Sequence, residues 1–257
     1  KAAGNNVKVD SFPCKLSDEN MKKLEASYSK DLIDFWKNLK TGYDLFEKFF
    51  KHYTKKQWNL EAKELSPSVC GRIPVRTNDD CRYFTDKYQF MPKDGYTKMF
   101  ERMLNQKNIE VVLNTDYKSI LDSVKFDKMI YTGPIDYFFD YKYGKLPYRS
   151  IRFEYKNYKI DSYQEASHIN FVDKGVPYTR ITEHKKLSVQ QVDSTSISIE
   201  YPQGNGEPFY PIPTEENRHQ YLLYKNEVDK LNNIIFCGRL AEYQYYNMDQ
   251  VVANTLR

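Results

Sequence analysis

The sequence lacks long hydrophobic runs. No apolar stretch approaches the roughly 20 residues that a membrane-spanning helix requires. The mean hydropathy of the 257-residue chain is -0.77. It shows no secretory signal either, with no charged start followed by an apolar core. These absences predict a soluble, cytoplasmic protein without a membrane partner.

An excess of one charge is also lacking. Lys and Arg total 39 against 35 Asp and Glu, which gives a net charge of +4 at pH 7 spread along the chain. Proteins that bind nucleic acid usually concentrate basic residues on one surface, so we do not expect a nucleic-acid partner. The four cysteines form no CxxC pair and no ligand spacing with the four histidines. We therefore expect a reducing compartment and no metal site.

Glycine-rich phosphate loops are missing as well. Gly133 and Gly238 are isolated, and no GxGxxG unit follows a predicted strand. That unit holds the pyrophosphate of a dinucleotide at a helix N-terminus. The chain also begins without methionine, so we expect it to be a portion of a longer protein.

Aromatic residues are abundant, with 23 Tyr and 15 Phe. The run His52–Trp58 and the nearby Arg72–Arg76 place ring faces and guanidinium groups in one segment. A site for a nucleobase joined to a diphosphate needs both groups. The alternative is that the rings pack within a helix and the arginines lie on the surface.

The spacing of apolar residues predicts an α+β fold. A helical amino-terminal part over 1–105, which would contain the His52–Trp58 segment, precedes a mainly antiparallel sheet over 106–257. Short period-two segments without long helices between them favour antiparallel pairing. The predicted helices are 17–39, 45–53, 95–104, 215–232 and 248–257, and the predicted strands are 109–114, 128–134, 150–155, 168–172, 178–183, 196–201 and 234–239.

Six short motifs together resemble the UDP-galactopyranose mutase family, and they follow one another in the same order as in that family. Each motif alone is weak evidence, but collinear motifs from about residue 49 to the end are specific. The first 45 or so residues match only in helical character. The motifs are Tyr53–Trp58, Arg72–Arg76, Ile130–Asp136, Tyr148–Ser150, Val176–Arg180 and Gly238–Tyr243.

The resemblance implies a flavin-dependent isomerase. It also implies that the part over 106–257 ends in partial, carboxy-terminal elements of a Rossmann-like FAD-binding domain. Members interconvert UDP-galactopyranose and UDP-galactofuranose, with FAD in its reduced form as cofactor. N5 of the reduced flavin attacks the anomeric carbon and expels UDP. The sugar adduct then opens, closes as the other ring size and recaptures UDP, so there is no net redox change. The implied setting is cytoplasmic supply of galactofuranose for surface polysaccharide, and a homo-oligomer is left open.

The resemblance also implies roles for individual residues. Arg72 and Arg180 match the two arginines on the diphosphate, where a guanidinium stabilises the charge that develops on the leaving group. We therefore expect both to be catalytic. Residues expected to bind substrate are Phe49, Phe50, Tyr53 as the ring stacked on uracil, Trp58, Tyr83, Asn170, Tyr210 and Tyr245. Residues expected at the flavin are Arg149, Gly238, Arg239 and Asn247.

The sequence departs from the family in three places. Without GxGxxG, we expect FAD to be held mostly by a part absent from this chain, and the isolated chain to be inactive. Asn247 stands where the family normally carries aspartate, and His52 stands where it usually carries glycine. These changes leave open a flavin-independent nucleotide-sugar-binding module without catalysis.

A glycosyltransferase is a weaker alternative. It would need a carboxylate pair for a metal-bound diphosphate, and Asp79-Asp80 is the nearest candidate. Adjacent residues on an extended chain point to opposite sides, which argues against this interpretation.

Overall fold

A computed structural model describes residues 6–8, 46–67, 69, 82–84 and 86–256. Its larger sheet has six strands in the order β1-β4-β5-β6-β3-β7, and every neighbouring pair is antiparallel. This arrangement confirms the predicted α+β class with a mainly antiparallel sheet. The strands are β1 (Asn6–Lys8), β3 (Tyr148–Tyr158), β4 (His168–Phe171), β5 (Arg180–Glu183), β6 (Thr195–Gln203) and β7 (Tyr210–Pro211).

One face of the larger sheet is closed by branched aliphatic residues. Ile181, Ile197 and Ile199 are buried there, and Phe171 and Tyr201 pack against them. Branched side chains suit the pleated surface of a strand, which explains why these short segments adopt β structure.

A smaller sheet contains two parallel strands, β2 (Met129–Tyr131) and β8 (Ile234–Phe236). Helix α6 (Glu215–Val228) precedes β8 along the chain, and its Tyr224 is fully buried in a cluster with Ile135. Parallel strands joined through a helix are the basic unit of α/β folds. The pair is therefore consistent with the predicted partial Rossmann-like elements.

The other regular elements of the described residues are helices. The π-helix Phe46–Phe50 continues directly into α1 (Lys51–Trp58), which ends at Asn59 in a left-handed conformation with φ 58°. The 3-10 helix Ala62–Glu64 follows. The other described helices are α2 (Gly95–Leu104), α3 (Tyr117–Ile120), α4 (Ile135–Phe138), α5 (His184–Ser188) and α7 (Met248–Thr255). Within the described ranges, no helix is both long and apolar enough to cross a membrane.

Most predicted elements are found near their predicted positions, but one strand is wrong. Helix α2 has the predicted bounds, whereas α6 ends at Val228 instead of residue 232. Residues 109–114 form no strand, and Leu113 is 76% exposed. The apolar run finds no neighbouring strand among the described residues, so its β propensity is not expressed. The predicted helix 17–39 lies outside the described residues, and the division at residue 105 stays a prediction.

Candidate functional site

Three neighbouring strands bring polar side chains together around Arg180. In the sheet register, Arg180 of β5 lies opposite Asn170 of β4 on one side and Glu200 of β6 on the other. Its Nε donates to Asn170 Oδ1 at 3.0 Å, and its Nη1 lies 3.8 Å from Glu200 Oε1. Residues directly opposite each other on antiparallel strands share a face. The register alone therefore gathers this polar group.

Helix α1 adds Tyr53 to the group. Burial raises the pKa of Tyr53, and the charge of the nearby Arg180 guanidinium acts in the opposite direction. Burial alone would lower the pKa of Arg180, but Tyr53, Glu200 and Tyr210 outweigh it and raise that pKa. At neutral pH the site therefore presents a neutral phenol beside a permanently charged guanidinium.

Three aromatic rings border the polar group. The Trp58 ring meets Tyr245 edge to face at 5.5 Å and 78°, and meets Tyr210 at 6.1 Å and 68°. The rings of Tyr210 and Tyr245 are themselves 5.3 Å apart. Burial raises the pKa of Tyr210 to about 12, so its hydroxyl remains a donor at neutral pH.

Tyr210 and Tyr245 also connect the rings to the polar group electrostatically. Tyr245 contributes to the raised pKa of Tyr53, and Tyr210 contributes to that of Arg180. We call the combined set the Arg180 cluster. Its members are Tyr53, Trp58, Asn170, Arg180, Glu200, Tyr210 and Tyr245.

Arg239 supports the aromatic side of the cluster. Its guanidinium carbon lies 5.4 Å from the Tyr210 ring centre and 5.0 Å from that of Tyr245. Its nitrogens donate to the carbonyl of Tyr246 at 2.7 and 3.1 Å and to that of Phe209 at 3.3 Å. Arg239 thus ties the carboxy-terminal segment to β7.

The sequence analysis missed Glu200. Its carboxylate is largely buried beside Arg180, with 12% of the side chain exposed. Glu200 lies in a strand that the sequence predicts, and a carboxylate buried in a sheet needs a cationic partner. A search for such a partner could therefore have identified it. Pairing it with Arg180 required the strand register, which the sequence does not show.

Arg149 and Gly238, both predicted at the flavin, also have protein partners in this chain. Arg149 is 7% exposed and donates from Nε to the carbonyl of Gln57 at 2.8 Å, near the end of α1. Gly238 has φ +92°, and its N–H donates to Glu242 Oε2 at 2.9 Å. The left-handed conformation explains why glycine occupies this turn. Neither contact tests a role at a cofactor.

The remaining predicted residues are spread more widely. Phe50 is buried, Phe49 is half-buried, and Asn247 caps α7 with its N–H bonded to Gln250 Oε1 at 2.8 Å. Tyr83 packs edge to face on Phe84 at 4.7 Å. Arg72 lies outside the described residues. Its expected convergence with Arg180 therefore stays a prediction.

A cavity of about 480 Å³ adjoins the cluster on the side of Trp58 and Arg149. Ligand-binding cavities are typically about 300–1,000 Å³. Tyr148, Gly204 and Asn217 also line it, which gives it ring faces, a glycine and polar groups. Among the residues described, no group of His, Cys, Asp and Glu side chains could hold a metal ion.

Comparisons with known proteins identify the family. The model of the family described as UDP-galactopyranose mutase matches residues 48–245. The chain belongs to the UDP-galactopyranose mutase family. It is 40% identical over 220 residues to a probable UDP-galactopyranose mutase of Klebsiella pneumoniae, covering 84% of this chain and 57% of that protein.

Other relatives have similar coverage. A dTDP-fucopyranose mutase of Escherichia coli is 36% identical over 84% of this chain and 59% of its own length. A UDP-galactopyranose mutase of Mycoplasma pneumoniae is 32% identical over 81% of this chain and 57% of its own length. The chain thus spans under three fifths of these curated relatives.

A solved structure supports the fold. The crystal structure of reduced UDP-galactopyranose mutase superimposes with a TM-score of 0.61 at 14% identity, covering 90% of this chain and 69% of that one. None of these matches favours the alternative of a module without catalysis.

Proposed function

We propose that this chain forms the nucleotide-sugar-binding portion of a UDP-galactopyranose mutase, an isomerase that interconverts UDP-galactopyranose and UDP-galactofuranose. The contact between Tyr53 and Arg180 carries the proposal, because it places a ring able to stack on uracil beside a guanidinium able to grip a diphosphate. Stacking of a base on an aromatic ring contributes about 1–3 kcal/mol in nucleic-acid sites.

The Arg180 cluster suits a leaving UDP group. Cleavage of the anomeric bond leaves negative charge on the β-phosphate, and Arg180 can stabilise that charge through charge-assisted hydrogen bonds. The phenols of Tyr210 and Tyr245 can donate to further phosphate oxygens without adding charge. Asn170 holds the Arg180 side chain by accepting from Nε at 3.0 Å, and Glu200 Oε1 lies 3.8 Å from Nη1 on the other side. We propose Arg72 as the second arginine of this site.

The sugar would lie beside the rings. Trp58 is 4% exposed and packs edge to face against Tyr245, so its indole is held rigidly. A rigid indole can orient a sugar ring and exclude water from the reacting carbon. Phe49, Phe50 and Tyr83 complete the proposed substrate residues.

The proposed cofactor is FAD, and the reduced flavin would supply the nucleophile for the anomeric carbon. Trp58, Arg149 and Gly204 on the adjoining cavity are suited to hold its ring system. We propose that Gly238, Arg239 and Asn247 also lie at the flavin. The dinucleotide pyrophosphate would be bound mostly by a segment outside this chain. We further propose a cytoplasmic setting that supplies galactofuranose for polysaccharide, with a homo-oligomer as a compatible assembly.

An isomerisation assay on the full-length protein tests the proposal. UDP-galactofuranose is incubated with the protein, with and without dithionite, and the nucleotide sugars are separated by chromatography. We expect UDP-galactopyranose to form only under reduction. A parallel reaction with dTDP-fucofuranose is included, because the E. coli relative at 36% identity is named dTDP-fucopyranose mutase. Tight binding of UDP without ring conversion of either substrate would favour the non-catalytic module.

A further inference from the structure

Lys56 makes an unusual set of contacts for a lysine on a short helix. Its ammonium donates to the carbonyls of Asp173 and Val176 at 3.1 Å each and to that of Tyr178 at 2.9 Å. It also donates to the carbonyl of Phe171. Phe171 ends β4, and the other three carbonyls belong to the connection between β4 and β5, so the Lys56 side chain of α1 reaches into a ring of main-chain oxygens. We call this arrangement the carbonyl ring.

The chemistry of the ring matches an ammonium group. A lysine ammonium has three N–H donors and no acceptor, so four carbonyl oxygens satisfy all its hydrogens with one of them shared. Burial lowers the pKa of Lys56 to about 8, which still leaves the ammonium as the main form at pH 7. Lys56 therefore differs from the usual solvated surface lysine.

The carbonyl ring connects the two halves of the proposed ligand site. On α1, Tyr53 lies three residues before Lys56, which places both on neighbouring positions of one helix face. The connection between β4 and β5 starts after Phe171, the residue that follows Asn170 in β4, and ends at Arg180, the first residue of β5. The Lys56 side chain thus fastens α1, which carries Tyr53, to the segment that links Asn170 to Arg180.

The main chain of Lys56 is also held by hydrogen bonds. The Lys56 carbonyl accepts from Arg149 Nη2 at 3.4 Å, and the next carbonyl, of Gln57, accepts from Arg149 Nε at 2.8 Å. Carbonyls in the last turn of a helix have no partner within the helix. The end of α1 is therefore held to β3 through its main chain and to the β4–β5 connection through Lys56.

We propose that Lys56 is a positioning residue that sets the spacing between the Tyr53 ring and the Arg180 guanidinium, and thereby the spacing of base and diphosphate that the site accepts. This inference rests on the proposed function. A ligand that engages both groups at once gains affinity only if their spacing matches its own length. Loss of the ammonium would leave each half of the site intact, but the distance between the Tyr53 ring and the Arg180 guanidinium would no longer be fixed.

The experiment compares whole and partial ligands. In the full-length protein, Lys56→Ala is titrated calorimetrically with UDP and with pyrophosphate. We expect UDP affinity to fall about tenfold or more, while pyrophosphate affinity changes less than about twofold, because only UDP spans both halves. Lys55→Ala is the matched control. Lys55 is exposed on the same helix and pairs with Glu61 at 3.1 Å, so its removal should leave both affinities unchanged.

Chemical rescue adds a second readout. Alanine keeps Cβ, so n-propylammonium supplies the missing three carbons and the ammonium. It should restore UDP affinity to Lys56→Ala, whereas n-propanol with sodium chloride at equal ionic strength should not. Circular dichroism establishes that each variant is folded. If Lys56→Ala does not fold, Lys56→Met keeps the apolar stem without the donors and is titrated in its place.

Several results would overturn the inference. Unchanged UDP affinity in the variant would do so, as would equal losses for UDP and pyrophosphate or failure of the amine to rescue. If neither variant folds, Lys56 is a requirement of the fold and the positioning role is rejected. Wild-type protein that binds UDP but does not isomerise it would remove the proposed function alone, whereas wild-type protein that does not bind UDP would remove both.

Discussion

Arg180 and Tyr53 interact electrostatically, although the two residues come from a strand and a helix that are far apart in the sequence. The contact brings an aromatic face and a fixed positive charge into one site. The sheet register adds Asn170 and Glu200 on either side of Arg180. This pairing underlies the proposal that a nucleoside diphosphate is recognised at both of its chemically distinct ends.

Removal of Arg180 should weaken UDP binding. Hydrogen bonds to charged groups contribute about 1.5–3 kcal/mol, which corresponds to a loss of roughly ten- to a hundredfold in affinity. Titration calorimetry at two salt concentrations should also show that Arg180→Ala has lost most of the salt dependence. Arg102→Ala is the control, because Arg102 is exposed and pairs with Asp94. Equal behaviour of the two variants would contradict the assignment of Arg180.

Substitutions of Tyr53 should separate stacking of its ring on uracil from the interaction of its hydroxyl with Arg180. Tyr53→Ala removes both and should cost about 1–3 kcal/mol of UDP binding. Tyr53→Phe keeps the ring but loses the contact with Arg180, so its loss should be smaller. Both variants are titrated with UDP and with pyrophosphate. A loss of pyrophosphate affinity in Tyr53→Ala as large as that for UDP would argue against a base-stacking role.

Asn247→Asp should be tolerated by the fold. Asn247 caps α7, and aspartate is an equally good cap whose charge interacts favourably with a helix N-terminus. The thermal unfolding midpoint should stay the same or rise. Asn247→Ala should instead lose about 0.5–2 kcal/mol of stability. If Asn247→Asp unfolds at a clearly lower temperature, the local surroundings disfavour the charge. In that case asparagine is required by this chain's own structure.

Glu227 should make the free energy of unfolding depend on pH in the acidic range. Hydrogen bonds from Tyr143 at 2.6 Å and Lys142 at 3.0 Å lower its pKa from 4.5 to about 2. A depressed carboxyl pKa contributes stability that is present above pH 4.5 and is lost as the pH falls towards 2. Urea unfolding across this range should therefore show a smaller pH dependence for Glu227→Gln than for the wild type.

The control for Glu227→Gln is Glu215→Gln on the same helix. Glu215 is exposed and lies 3.2 Å from the equally exposed His219, so the pH dependence of stability in that variant should follow the wild type. Parallel curves for wild type and Glu227→Gln would show that the contacts of Glu227 do not persist in solution.

Local patterns were a good guide wherever neighbouring residues decide the structure. Helix α2 begins at Gly95 and ends at Leu104 as predicted, because its apolar residues repeat with helical spacing. The prediction of a strand over 109–114 was wrong because pairing depends on residues that are distant in the sequence. A β segment needs a partner strand, and the spacing of Val111 and Leu113 carries no information about whether one is near.

The sequence by itself determined the family, the order of the elements and the types of residue available to a ligand, because these depend on local spacing and on short collinear motifs. Only the tertiary structure decided that Glu200 faces Arg180 and that Lys56 enters the carbonyl ring. Strand register and helix docking are set by contacts between residues distant in the chain. No local pattern encodes them.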